Sequence, residues 1–557
     1  MQIILKSNQW CLMYRKANIW QTLQFGLLGL CALIVSGCGE VAVSNQIKQD
    51  GFIFCGQGAP SSFNPQLVDN DLATDAVSPQ IFNTLVHLSS QSLELEPMLA
   101  THWSVDKTGT RYQLTLRQNV SFQTTHWFTP TRPLNAQDVV FTFKRIIDST
   151  HPFHYVGGGN YPWFDAIGFS HTLKDVKALD EHTVLFELYQ PDNTFLSNLS
   201  TTYSSIHSAE YAAQLQAIDQ KQRIDQYPVG TGPFYLDKFS INDFIRLRRN
   251  EHYWGTPAKM KQMVLDISSR GTGSLAKLLR GECDVLFSPR SSQIPTIQVH
   301  PDLELQAYPS MNVSFIALRT LNPALNDSRV RKALNLAINR NAVIDSVYYG
   351  YGTPAYSLLP PESWAYQQSS SQVRYDRNYA RALLREAGYG NGLKLSLWVS
   401  LEPTAYNPSP RKVAELIQAN FADIGVTLSI HHDERLSRTT FQSIKEADMI
   451  LTGWSADTSD PDNVFRPLLS CGVGRTADNI ASWCNSDFDS LIDLAKETTQ
   501  KRYRVNLYHQ VQHLLDEEVP ILPIAHGMQF RVKHRSLKGF NTNPFNKLSF
   551  ENVERAQ

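Results

Sequence analysis

Residues 327–338 have the sequence Asp-Ser-Arg-Val-Arg-Lys-Ala-Leu-Asn-Leu-Ala-Ile. Counted from the valine, the apolar residues fall at i, i+3, i+4, i+7 and i+8, which is the spacing of one face of a helix. Residues 111–116 instead alternate polar and apolar side chains, the pattern of a half-buried strand. A second helix is expected after Asn135, which is a suitable N-cap, with Asp138 in its first turn. Strand and helix patterns alternate in this way throughout, so the sequence predicts a mixed α/β fold.

The length and the charge balance restrict the number of domains and the kinds of ligand that are expected. The chain has 557 residues, which is too long for a single core and suggests three or four domains. Its 51 Lys and Arg residues nearly balance 52 Asp and Glu residues. A neutral chain without a basic block is not expected to bind nucleic acid through bulk charge.

The first 37 residues predict a signal peptide. They contain basic residues but no acid, and an apolar run over residues 25–35 is too short to span a bilayer. Met13 is an alternative initiator to Met1, because it begins a more compact basic region. The run ends in Val-Ser-Gly-Cys38, which resembles a lipobox. We therefore expect an exported, periplasmic protein. Either Cys38 is lipidated and anchors the protein to the membrane, or the signal peptide is cleaved nearby and Cys38 has no role.

Beyond Cys38, the cysteines are Cys55, Cys283, Cys471 and Cys484. An even number in an exported protein indicates two disulfides, with three pairings open. The short separation of Cys471 and Cys484 favours a local bridge, which leaves Cys55 with Cys283. A zinc site is the rival interpretation, but no CxxC or HxxxH spacing supports it, and we expect no metal.

No catalytic motif is present: the chain lacks a GxSxG elbow, an HExxH helix, a Walker loop and a GxGxxG turn. Four histidines are candidates for metal or haem ligands, but their spacing does not require this, and solvated or hydrogen-bonded histidines are expected at these positions: His102, His126, His151 and His154. The acidic stretch 457–463 follows an apolar run, Met449–Trp454, that predicts a buried strand. Carboxylates just past a strand end are placed to face a cleft. The sequence thus favours a binding protein over an enzyme.

Motifs along the chain resemble the extracytoplasmic solute-binding proteins of family 5, the dipeptide- and oligopeptide-binding components of ABC importers. The resemblance covers residues 50–555. It rests on Cys55–Pro65, Pro97–Trp103, Arg117–Phe122, Val229–Phe234, Tyr253–Gly255 and Val330–Ile338. Two further stretches, Phe122–Arg132 and Gly271–Cys283, resemble the branch that is associated with resistance to antimicrobial peptides.

The resemblance implies a periplasmic binding protein fold of type II, with two α/β lobes around a cleft and a subdomain inserted in the first lobe. The implied limits are 50–96, 230–310 and 528–557 for the core lobe, 97–229 for the insert and 311–527 for lobe II. It also implies a monomer that needs no cofactor and delivers a peptide to a membrane permease with ATPase subunits. The implied disulfides are Cys55–Cys283 and Cys471–Cys484.

In the family the peptide binds as an extra strand between the lobes. By position, the residues implied to flank it are Gly58, Ala59, Pro60, Gly453, Trp454 and Ser455. The aspartate that grips the peptide's α-ammonium group corresponds to Asp457. A buried ammonium group needs such a partner to offset its desolvation.

One position departs from the family. Dipeptide-binding proteins place an arginine for the ligand's carboxylate shortly before a Tyr-Asn-Pro run, which here is Tyr406–Pro408. Counting by alignment gives Thr404 at that position. Arg411, Arg435 and Arg438 are candidate replacements, and a longer peptide or a ligand without a carboxylate becomes plausible. The alternative ligand on the same fold is haem or another apolar molecule.

Overall fold

The computed structural model describes residues 47–56, 58–68, 72–89, 92–368, 375–432, 447–471, 479–541, 543–545 and 548–556. Gly51–Gln557 forms one compact unit, and Met1–Asp50 forms another, of which only the last four residues are described. The predicted signal peptide, both candidate initiators and Cys38 lie outside the described residues. Within the described ranges, no helix has the length and apolarity needed to cross a membrane.

Twenty strands are described, and we number them in chain order. They are β1 (Gly51–Cys55), β2 (Val86–Leu88), β3 (Leu95–Pro97), β4 (Ala100–Val105), β5 (Arg111–Leu116), β6 (Leu173–Asp180), β7 (Thr183–Leu188), β8 (Phe234–Ser240), β9 (Phe244–Arg249), β10 (Gln262–Asp266), β11 (Val285–Phe287), β12 (Leu303–Pro309), β13 (Asn312–Leu318), β14 (Gly352–Pro354), β15 (Leu393–Val399), β16 (Val426–His432), β17 (Met449–Ser455), β18 (Ile521–His534), β19 (Leu537–Lys538) and β20 (Glu554–Arg555).

One large sheet runs through the molecule in the order β16-β15-β17-β13-β18-β11-β1-β10-β9-β8, and β12 and β14 also pair with β18. The first part of β18 pairs with β13 and β14, whereas its last part pairs with β11 and β12. β18 is therefore shared by two groups of strands. A separate antiparallel sheet has the order β4-β5-β7-β6.

The α-helices of eight or more residues pack against the sheets and against one another. They are Leu72–Ile81, Ala136–Ile147, Ala209–Ala217, Thr272–Leu279, Ser328–Ala337, Arg340–Val347, Arg377–Glu386, Pro410–Ala422, Asp462–Leu469, Ser486–Glu497 and Lys501–Glu518. The prediction of a mixed α/β fold is confirmed.

The local predictions are confirmed as well. Residues 111–116 form β5, with every second side chain buried. The side chain of Asn135 accepts a hydrogen bond from the backbone of Gln137, and Asp138 accepts one from the backbone of Asn135. This reciprocal pair caps Ala136–Ile147. Asp327 caps Ser328–Ala337, whose apolar face is buried against β15 and β16 in one hydrophobic cluster.

The buried apolar side chains form four clusters. One is built almost wholly from residues 99–229 and covers the four-stranded sheet. Another combines β1, β10 and β11 with the C-terminal segment around Phe550. Two flank β13 and β17. The lobe limits given above stay a prediction, because Gly51–Gln557 is one compact unit.

Two disulfides are present. Cys55 at the end of β1 is bonded to Cys283, with their Cα atoms 5.6 Å apart. Cys471 is bonded to Cys484, with their Cα atoms 4.7 Å apart. These are the pairs that the family resemblance implies.

Candidate functional site

The site lies where two sets of parallel strands end. β1 is parallel to β10 and β11, and β15 is parallel to β16 and β17. After β11, the backbone N–H of Ser288 donates to Phe530 in β18. β17 ends at Ser455, opposite Asn312, whose side chain bonds the backbone of Gly527 in β18. Both sets of carboxyl ends therefore point toward the middle of β18, and a crevice outside such ends is a usual ligand site.

Asp457 follows β17 directly. Its backbone N–H donates to Oδ1 of Asn463 at 2.9 Å, and its Oδ2 accepts a hydrogen bond from the indole N–H of Trp163 at 2.9 Å. It lines a cavity of about 30 Å³, and the lining comes from six parts of the chain, with these other members: Asp75, Thr201, Thr202, Tyr203, Ser310, Ser455, Ala456, Gln529, Pro544 and Phe545. A predicted binding residue thus lies at a junction of segments that are far apart in sequence.

The other two carboxylates of the acidic stretch are bound by arginines. Asp460 accepts two hydrogen bonds from Arg504, at 2.9 and 2.7 Å, and Asp462 is paired with Arg466 at 2.9 Å. Burial raises the pKa of Asp460 despite the neighbouring guanidinium. Burial also acts to raise the pKa of Asp462, but the charge and hydrogen bond of Arg466, together with the charges of Lys496 and Arg504, outweigh burial and lower that pKa. These two acids are therefore engaged in buried ion pairs.

Gly453 and Trp454 lie in β17 beneath the loop that contains Thr404. A Cβ atom at Gly453 would lie 2.2 Å from the ring of Tyr406, so a glycine is required for this approach. Trp454 is buried in the neighbouring hydrophobic cluster. Neither lines the cavity at Asp457, although Ser455 does.

Thr404 has a local role. Its hydroxyl accepts a hydrogen bond from the backbone of Asn407 at 3.0 Å, which closes the turn before Pro408. Arg411, one candidate replacement for the family arginine, is exposed and pairs with Glu415 at 3.0 Å. The other two candidates, Arg435 and Arg438, lie outside the described residues.

Gly58, Ala59 and Pro60 follow β1 at the same edge of the sheet as the end of β10. Gly58 has φ +113°, and a Cβ atom there would lie 2.5 Å from the guanidinium of Arg270. This arginine follows β10 and was not identified from the sequence. None of the three residues after β1 lines the cavity at Asp457. Their assignment to the peptide site, like that of Asp457 itself, stays a prediction.

Residues 163–193 contact residues 457–496. Besides the bond between Trp163 and Asp457, the backbone N–H of Asn193 donates to the carbonyl of Lys496 at 2.9 Å. The ammonium group of Lys496 lies 3.1 Å from the buried carboxylate of Asp192. Sequence separations near 300 explain why no local pattern predicted these contacts.

The four histidines do not gather at this site. His102 bonds Thr115, His126 lies 3.6 Å from Asp237, and His154 bonds the carbonyl of Arg145. His151 accepts a hydrogen bond from the backbone of Phe153. Across the part of the chain that is described, no group of three or more His, Cys, Asp or Glu side chains is placed to hold a metal ion.

Comparison with known proteins relates the chain to one family. Residues 94–475 match the model of the bacterial extracellular solute-binding proteins, family 5 Middle. The peptide transport periplasmic protein SapA of Salmonella typhimurium is 42% identical over 93% of this chain and 94% of its own length. The heme-binding protein A of Haemophilus influenzae is 35% identical over 94% of this chain and 98% of its own.

Solved structures agree with this relationship. A dipeptide-binding protein from a Pseudoalteromonas species, in complex with Met-Leu, has a TM-score of 0.81 and 37% identity. HbpA2 from Haemophilus parasuis has a TM-score of 0.83 and 34% identity. Each comparison covers 91% of this chain and all of the other. The chain therefore belongs to family 5 of the bacterial extracellular solute-binding proteins.

Proposed function

We propose that this protein is the peptide-binding component of an ABC importer. The observation that carries the proposal is the position of Asp457, at the carboxyl end of β17 in the crevice beside β18. A carboxylate there can pair with the α-ammonium group of a peptide that enters along the strand ends. The relatives support the ligand class, since one is a peptide transport protein and another binds Met-Leu.

Recognition in this proposal depends mainly on the backbone. A peptide laid between the strand ends pairs its main chain with that of the protein, which gives affinity without selecting side chains. Gly58, Ala59, Pro60, Gly453 and Ser455 are the residues that we assign to this pairing, with Trp454 behind them. Thr404 offers no cation for the peptide's carboxylate, so we propose that the site is not restricted to dipeptides.

Binding requires the crevice to open. The cavity at Asp457 holds only about 30 Å³, which is room for one or two water molecules. A peptide is many times larger. We propose that the group of strands around β1 and the group around β17 move as two lobes about β18, with the lobe limits predicted from the resemblance. The contacts of Trp163 and Asn193 with residues 457–496 break when the crevice opens.

Titration calorimetry on the purified mature protein tests the proposal. Unblocked peptides of increasing length are compared with the same peptides acetylated at the N-terminus. We expect the unblocked peptides to bind and acetylation to weaken binding. Failure of every unblocked peptide to bind would refute the proposal.

Haem is the second candidate ligand, because the heme-binding protein A of Haemophilus influenzae is similar over 94% of this chain. Added haem would then produce a Soret band. If peptide competes for that band, the two ligands share the crevice, and if only haem binds, the peptide assignment is wrong.

The remaining assignments follow from membership of the family. We propose that the protein acts in the periplasm as a monomer without a resident cofactor and delivers its ligand to a membrane permease with ATPase subunits. Lipidation of Cys38 would anchor it to the membrane, and mass spectrometry of the mature N-terminus tests this. In line with the branch of the family that the motifs resemble, the transported ligands include antimicrobial peptides in this proposal.

A further inference from the structure

An aromatic cluster packs beside Asp457. Trp163 is 2% exposed and belongs to the short helix Pro162–Ala166. Its ring stacks on Tyr203 with the centroids 5.0 Å apart and the planes 19° from parallel, and it meets Phe164 edge-on at 5.0 Å. Because the indole is packed against both rings, it cannot turn without displacing them.

The indole N–H of Trp163 donates a hydrogen bond to Oδ2 of Asp457 at 2.9 Å. An indole N–H only donates, and it carries no charge. It therefore stabilises the ionised carboxylate and fixes its direction without neutralising it. The arginine bound to Asp460 acts differently, since it compensates the charge of that carboxylate.

We propose that Trp163 is a positioning residue for peptide recognition: its indole N–H holds the carboxylate of Asp457 in the orientation that accepts the ligand's α-ammonium group. Trp163 is not among the residues that line the cavity, whereas Asp457 and Tyr203 are. It acts through the carboxylate and not by touching the ligand. This inference rests on the proposed function, in which Asp457 binds the α-ammonium group.

The arrangement has a consequence for ligand choice. A carboxylate with a fixed orientation pairs best with an ammonium group that can approach along one direction. Peptides with a free α-ammonium group are preferred over peptides whose terminus is acylated or cyclised to pyroglutamate. The preference is set by Trp163 and Asp457 together.

The test uses Trp163→Phe, which removes the N–H and keeps an aromatic ring. Trp254→Phe is the matched control, because the indole of Trp254 donates a hydrogen bond of 3.0 Å to Asn83, away from Asp457. Calorimetry measures the affinity of each protein for one peptide with a free N-terminus and for its acetylated form. Thermal unfolding without ligand checks that both variants are folded.

We expect Trp163→Phe to weaken binding of the free peptide about tenfold, the scale of a lost hydrogen bond to a charged group. Binding of the acetylated peptide should be unchanged, and Trp254→Phe should affect neither. The double variant Trp163→Phe with Asp457→Asn should bind the free peptide no more weakly than Asp457→Asn alone, because both changes act on one interaction.

Equal losses for the free and acetylated peptides in Trp163→Phe would overturn the proposal, since they would show that Trp163 only holds the crevice closed. An unchanged affinity would overturn it too. If Trp163→Phe does not fold, the isosteric benzothienylalanine at position 163 removes the same N–H with little change in shape. Failure of the proposed function is visible in the wild-type protein, as equal binding of the two peptides, whereas failure of this inference appears only in the variants.

Discussion

Replacing Asp457 by asparagine removes the negative charge and keeps an oxygen that can accept the hydrogen bond of Trp163. If the carboxylate pairs with the α-ammonium group inside the closed crevice, the variant leaves that group without its charge partner. Truncating one member of such a pair costs about 2–5 kcal/mol, so the affinity for a free peptide should fall about 30-fold or more. The acetylated peptide, which has no ammonium group, should bind both proteins alike.

Asp457→Ala removes the acceptor as well. The buried indole N–H of Trp163 then loses the oxygen at 2.9 Å, and an unsatisfied buried donor costs about 1–3 kcal/mol. We expect this variant to unfold at a lower temperature than Asp457→Asn while losing a similar amount of affinity. Comparison of the two variants separates the charge from the hydrogen bond.

Asp75 offers the matched control. It is another carboxylate that lines the same cavity, in the first turn of Leu72–Ile81. Calorimetry measures the affinity of the wild type, Asp457→Asn and Asp75→Asn for the free and the acetylated peptide. For each acid, these affinities form a double-mutant cycle between the side chain and the ligand's terminus. Coupling between the ligand's terminus and Asp75 instead of Asp457 would refute our assignment, as would additive losses at both positions.

Four further outcomes are expected. Peptide should lower the radius of gyration in small-angle scattering, because only the closed form contacts it from both sides, and an unchanged radius would contradict the opening of the crevice. Reduction of the Cys471–Cys484 bridge should lower the free energy of unfolding by about 3 kcal/mol, as measured by denaturant titration, and mapping of other pairings would contradict the bridge. Burial lowers the pKa of His526 to about 4, so this side chain takes up a proton on unfolding between that value and about 6.5. The free energy of unfolding should therefore fall as the pH drops, and protonation of His526 should account for about 2 kcal/mol of that fall between about pH 7 and 5. The variant His526→Asn should lack this part of the pH dependence. Gly453→Ala should destabilise the fold by about 1–3 kcal/mol in thermal or denaturant unfolding, because its methyl group overlaps a tyrosine ring, whereas Gly273→Ala, in the first turn of a helix, should be nearly neutral.

The elements that the sequence predicts correctly are those with local signals. The helix at 328–337 carries its apolar period and its cap within twelve consecutive residues, and the strand at 111–116 alternates strictly. The strand before Asp457 is a mostly apolar run that extends one residue beyond the predicted end and is buried on both faces. For the first two elements the burial of one face determines the structure, and the sequence itself shows that face.

The candidate site is different because its geometry is set by tertiary contacts. Three acids follow β17, and a position after a strand does not distinguish them, so only the family resemblance points to Asp457. Arg504 pairs with Asp460 from 44 residues away, whereas Arg466 lies one helical turn from Asp462. Trp163 lies 294 residues from Asp457, so no spacing rule connects them. Arg270 was not predicted for the same reason, since its neighbour Gly58 lies in the segment that follows another strand, β1. A residue's position after a strand predicts that it faces a cleft, but not which partner meets it there.

The central claim is that the crevice beside β18 binds a peptide. Native mass spectrometry of the protein purified without added ligand, followed by release and sequencing of whatever is bound, tests this claim most directly. We predict that peptides of varied sequence are released, at one per chain, and that Asp457→Asn is purified with far fewer. Release of haem or another non-peptide molecule in place of peptides, from the wild type and the variant alike, would contradict the claim.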